Sequence, residues 1–94
     1  MSKVTLLTAA ASLAVKQGFR NIRRQDIAEK CECSTGTVSY HFGSMQVLRD
    51  ELMAHAVASG NAVIVGQGLA ERHPLAMAAP PGLKARALRL LAAA

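Results

Sequence analysis

Aromatic side chains are scarce: the 94 residues include no Trp, one Tyr and two Phe. The 51% apolar fraction rests mostly on Ala, Leu and Val, a composition that favours helices over strands, so an all-α protein is expected. Long apolar runs are missing too. Nothing approaches the roughly 18 consecutive apolar residues that cross a bilayer, and no basic segment leads into an uninterrupted apolar core as an export signal would. A soluble, cytoplasmic chain with no membrane partner is therefore expected. Cysteine is limited to Cys31 and Cys33. They are too few for structural zinc without histidines at finger spacing, and too close to bridge comfortably in a helix and turn, so both are expected as small buried hydrophobes. His55 and His73 have no partner at ligand spacing, and no nucleophile stands with an ordered base. Solvated histidines, no catalysis, no metal and no cofactor are the expectation.

Acidic residues are absent from the front of the chain, where Lys3, Lys16, Arg20, Arg23 and Arg24 all precede Asp26. The net charge is +5 and the sequence pI about 9.9. A basic front half draws polyanions, though charge alone leaves a merely solvated face equally open. The length is at the low end of what buries a self-sufficient core, which makes a partner subunit plausible.

Leu6, Ala10, Leu13 and Ala14 recur at helical spacing from Lys3 to Gln17, with Gly18 as a stop and Phe19 as an anchor. Asn21 is a candidate cap for a second helix over Gln25 to Cys31, whose Ile27, Ala28 and Cys31 share one face. Glu32 and Cys33 interrupt it. Ser34 can then cap a new helix beginning Thr35-Gly36-Thr37-Val38-Ser39-Tyr40. That helix has only Val38 to bury; its remaining hydroxyls and phenol suit a helix lying against something polar and grooved. Ser44 caps a fourth helix, to about Ser59, striped by Val47, Leu48, Leu52, Met53, Ala56 and Val57. Gly60-Asn61 weakens it. Val63-Ile64-Val65 has strand composition, but a lone strand has no partner, so Ala62 to Ala70 is expected as helix. His73-Pro74 and Pro80-Pro81-Gly82 read as breaks. Leu83 to Ala94 forms a short amphipathic helix, with Leu83, Ala87, Leu90 and Leu91 on one side.

The helix, the turn and the run Ser34-Thr35-Gly36-Thr37-Val38 with His41-Phe42 resemble the recognition unit of the TetR family of bacterial transcriptional regulators. Leu6-Leu7, Ala9-Ala10, Leu13 and Gly18-Phe19 resemble that family's first helix, and Phe42-Gly43-Ser44 with Val47-Leu48 its entry to the fourth. The likeness covers roughly the first 55 residues, on the plan of three helices plus a fourth. It implies a helix-turn-helix DNA-binding domain over 1–59; the rest, 60–94, where the likeness stops, is expected as a short helical tail that serves dimerisation. It also implies double-stranded DNA as partner, with contacts from Arg24 and Gln25, then Ser34, Thr35, Gly36, Thr37, Ser39, Tyr40 and His41. Arg24 and Gln25 are the expected base readers, because Arg can fork onto guanine and Gln onto adenine. His41 could equally be a core histidine, and Tyr40 could pack on the first helix.

Four positions depart from the family pattern. Arg23 stands where Thr or Ser precedes the second helix, so capping there shifts or frays. Glu32 stands where glycine is preferred, which predicts positive φ at a cost of about 1 kcal/mol. Ser39 stands where tyrosine is usual, with Tyr40 one place later, and Met45 replaces a lysine that meets phosphate. The expected function is a repressor acting as a homodimer on a palindromic operator, with a seam formed by Leu48, Leu52, Val57, Leu83 and Leu90. About 35 residues follow the fourth helix, too few to line the roughly 300 Å³ a drug-sized ligand needs, so no conventional small-molecule effector is expected. A helical adaptor or anti-repressor that binds a protein is the alternative.

Overall fold

A computed structural model describes residues 1–93. Among them there are only helices and connecting turns: α1 (Lys3–Gln17), a single 3-10 turn (Phe19–Asn21), α2 (Arg24–Lys30), α3 (Thr35–Phe42), α4 (Met45–Ser59), α5 (Ala62–Ala70), α6 (Pro74–Met77) and α7 (Pro81–Ala93). The chain forms two compact units, Met1–Leu52 and Met53–Ala94, and the division falls within α4.

In the first unit α1 begins at a serine cap, where the Thr5 amide donates to Ser2 Oγ at 3.1 Å. It ends at Gly18, whose φ of 95° is left-handed backbone that a side chain would resist. Leu6, Leu7, Ala10 and Ala14 line its inner face and are buried with Phe19 and Ile22 just beyond it. Ile27 and Ala28 anchor α2, Val38 and Phe42 anchor α3, and Leu48 and Leu52 anchor the first part of α4. Packing runs from α1 to α2 and from α2 to α3. Lys3 binds the Glu51 carboxylate at 3.1 Å and lies 5.4 Å from the centre of the Phe42 ring. Ser44 caps α4 as expected, accepting from the Val47 amide at 3.2 Å.

In the second unit the helical reading of Ala62 to Ala70 holds. Asn61 caps α5 through a 3.2 Å bond to the Ile64 amide, and Ile64 and Val65 are buried with Met53, Ala56, Leu83 and Ala87. The residues read as β-formers are thus held in a helix by burial, since propensity is weaker than packing. Glycine permits close crossing: a Cβ at Gly66 would come within 3.1 Å of the Ala87 carbonyl oxygen, and one at Gly68 would meet Met53 and, at 2.8 Å, Ala76. The expected break at His73-Pro74 instead opens α6, with Pro74 in its first turn. There His73 is not a merely solvated side chain, because its Nδ1 accepts from the Leu75 amide at 3.2 Å.

Asn21 does not cap α2; its amide donates to the Gln17 carbonyl at 2.7 Å. Of the residues expected at the seam, Leu48, Leu52 and Leu83 are 1%, 0% and 6% exposed within the single chain. Val57 is half-buried, while Leu88, Leu90 and Leu91 stay 52%, 48% and 40% exposed. A cavity of about 130 Å³ is lined by Val63, Gly66, Gln67, Ala87, Leu90 and Leu91.

Candidate nucleic-acid interface

Two unlike faces run along α3. Val38 and Phe42, one turn apart, hold it to the core. Thr35, Gly36 and Tyr40 are exposed, and Thr37, Ser39 and His41 are half-buried. Tyr40 is 86% exposed, so the phenol faces solvent instead of packing on α1. His41 occupies an intermediate place, edge-on to Tyr40 with ring centres 5.5 Å apart and 6.5 Å from the Phe42 ring. It is neither a core residue nor a fully exposed one.

Small polar residues build the helix start. The Thr37 amide donates to Ser34 Oγ at 3.1 Å, and the two hydroxyls are also 3.1 Å apart. Whichever hydroxyl donates, one proton of the pair remains for an outside acceptor. Gly36 matters differently, since a Cβ there would meet only Ser34 Oγ, at an ordinary 3.5 Å. Nothing inside the protein requires a glycine at that point. The space it leaves lies outside, on the exposed side of the helix.

Arg23 precedes α2 in extended backbone. A guanidinium cannot accept a hydrogen bond, so it cannot cap as serine would. Asp26 supplies the missing half: its carboxylate accepts from the Arg23 amide and from Arg23 Nε, both at 3.2 Å, and pairs with Nη2 at 3.1 Å. Gln17 adds a bond from α1 at 3.3 Å. The hydrogen bond from Arg23 holds the Asp26 carboxyl below the usual carboxylate range and the carboxylate raises Arg23 in turn. This helix end is pinned, and fraying is prevented by Asp26. The sequence carried the signal, an acid three residues after the cap position, but the missing Thr or Ser concealed it.

Next along α2, Arg24 is half-buried and Gln25 exposed. The Gln25 amide donates to Glu29 at 3.2 Å, one turn later, a tie that reading a base would exchange. The turn to α3 is tight. Glu32 has φ 55°, the left-handed conformation expected from its place in the pattern, and the Cys33 amide reaches back to the Ala28 carbonyl at 2.9 Å. Cys31 and Cys33, expected to be buried, are half-buried instead.

These features put donors of little bulk on the outer side of α3, while the basic start of α2 belongs to the same packed unit. The unit carries seven cations against five acids, and none of those acids lies before Asp26 or within α3. Comparison with curated proteins and with solved structures gave no match. The family model of bacterial regulatory proteins of the tetR type matches residues 6–52, half of the chain, spanning α1 through the buried Leu52 of α4. The matched span contains both helices of the motif and the core that orients them, and the chain belongs to the TetR family of bacterial regulatory proteins.

Proposed function

We propose that this chain is a cytoplasmic transcriptional repressor that binds double-stranded DNA as a homodimer on a palindromic operator. The observation that carries the reading is the outer face of α3: Gly36 leaves space the protein does not use, and Tyr40 stands 86% exposed beside it. A B-DNA major groove about 12 Å wide admits one helix whose early residues face base edges. In this reading Thr35 and Gly36 approach the bases, while Ser34, Thr37, Ser39, Tyr40 and His41 contact phosphates. Arg24 and Gln25 read bases from the start of α2. One such helix gives little specificity, whereas two on a two-fold axis read half-sites about 34 Å apart. The exposed Leu90 with Leu88, Leu91 and half-buried Val57 supplies the pairing surface. The cavity lined by Val63, Gly66, Gln67, Ala87, Leu90 and Leu91 holds about 130 Å³, below the roughly 300 Å³ that drug-sized ligands fill.

Selecting duplexes from a random pool tests the proposal. Enrichment of a palindrome is the expected outcome, with affinity falling steeply as salt rises because bound phosphates release counterions. A protein-binding adaptor would enrich nothing and show no such salt dependence.

A further inference from the structure

We propose that Cys31 and Cys33 form a two-thiol site for trivalent arsenicals in the elbow between α2 and α3. A fully extended link would hold their Cα atoms about 7 Å apart. The left-handed bend at Glu32, φ 55°, shortens this into the about 4.4–6.8 Å range across which two thiols are joined. A direct S–S bond closes a small ring over that bend, whereas an arsenic atom between the sulfurs enlarges the ring and relaxes it. Both thiols are half-buried and reachable. Cys31, though not Cys33, also lines an open groove of about 580 Å³ with Val4, Thr5, Thr8, Ser12 and Lys30.

Chemistry selects the ligand class. Burial, and next the charge of Cys33, push the Cys31 thiol up. Among the described residues no group of three or more His, Cys, Asp or Glu side chains could hold a metal ion, which disfavours tetrahedral divalent metals. Soft trivalent arsenic needs only two sulfurs and accepts thiol protons on its oxygen. With phenylarsine oxide, two S–H bonds and the arsenic–oxygen linkage break, two As–S bonds form and one water leaves. Arsenic stays trivalent throughout, so the step requires neither oxidant nor reductant.

The elbow is held by hydrogen bonds from the Cys31 amide to the Ile27 carbonyl at 3.0 Å and from the Cys33 amide to the Ala28 carbonyl at 2.9 Å. Drawing both sulfurs onto one atom twists this frame, and α3 begins at Thr35, two residues on. Occupancy therefore weakens DNA binding, a consequence that rests on the DNA-binding reading, whereas the site itself does not.

The test treats the full-length chain with phenylarsine oxide and weighs it intact. One phenylarsenic per chain is expected, resistant to excess monothiol and removed by a dithiol, with retention at least tenfold weaker in Cys31→Ser and in Cys33→Ser. Circular dichroism establishes that both variants fold. Equal retention in either variant overturns the site, as does one arsenic per two chains with doubled mass. So does the absence of an adduct while N-ethylmaleimide still labels both thiols. On an enriched duplex the adduct is expected to lower affinity at least tenfold, and unchanged affinity overturns the coupling. An untreated chain that binds no duplex refutes the DNA reading and leaves the mass result to decide the site.

Discussion

Gly36 separates recognition from folding. Its added Cβ would meet only Ser34 Oγ at 3.5 Å, and alanine is the better helix former by up to about 1 kcal/mol. Gly36→Ala should therefore leave the urea midpoint unchanged or slightly raised, while duplex affinity falls at least tenfold because the methyl enters the space proposed for DNA. Glu32 gives the opposite test, since its left-handed φ of 55° strains a side chain but not glycine. Glu32→Gly should stabilise the fold by roughly 1 kcal/mol, read in the same titration. Asp26 adds a pH dependence. Its folded carboxyl is held below the ordinary range, first by the hydrogen bond from Arg23, so its contribution is present above the unfolded value and is lost as pH falls through the folded one. Thermal midpoints should decline over that acid range in the native chain and decline less in Asp26→Asn. At this scale the left-handed Glu32 and the Ser34 cap were legible in the sequence. The Asp26 clasp was not, because a basic residue at the cap position hides an acid-based solution.

Among whole elements, α5 carries the sharpest stability prediction. A Cβ on Gly68 would press on Met53, which can swing aside, and on the Ala76 Cβ at 2.8 Å, which cannot. Gly68→Ala should cost about 1–3 kcal/mol through overpacking, seen as a lower urea midpoint. The extents of α1 and α4 followed from spacing, because 15-residue helices repeat their apolar side often enough to be read. Short elements were harder. α6 has four residues, too few to show a period, and its Pro74 reads equally as a break or a first turn. Val63-Ile64-Val65 leaned towards strand by composition until the lack of a partner strand decided for helix. What the sequence left hidden was tertiary: which leucines the chain consumes internally. Leu48, Leu52, Leu83 and Leu90 share one amphipathic pattern, yet only Leu90 stays open, at 48% exposure.

For the whole molecule, charge is less concentrated than the front of the sequence suggests. The unit holding the helix-turn-helix has seven cations and five acids, and the second has four cations and one acid, Glu71. Affinity should thus depend on a few contacts around α3 and the start of α2 instead of a broad basic field. Each phosphate neutralised by Lys or Arg contributes a slope of about −0.9 in log affinity against log salt, so Tyr40→Ala, which removes a neutral hydroxyl, should lower affinity and leave that slope unchanged. If the exposed leucines of α7 pair two copies, Leu90→Glu should halve the mass seen in light scattering without unfolding the chain, because Leu90 is already 48% exposed. The measurement that bears most directly on the central claim is duplex affinity on the enriched site, compared between the native chain and Gly36→Ala at matched salt. A loss of at least tenfold with unchanged stability is expected if α3 lies in the groove. Equal affinity of the two proteins would contradict it.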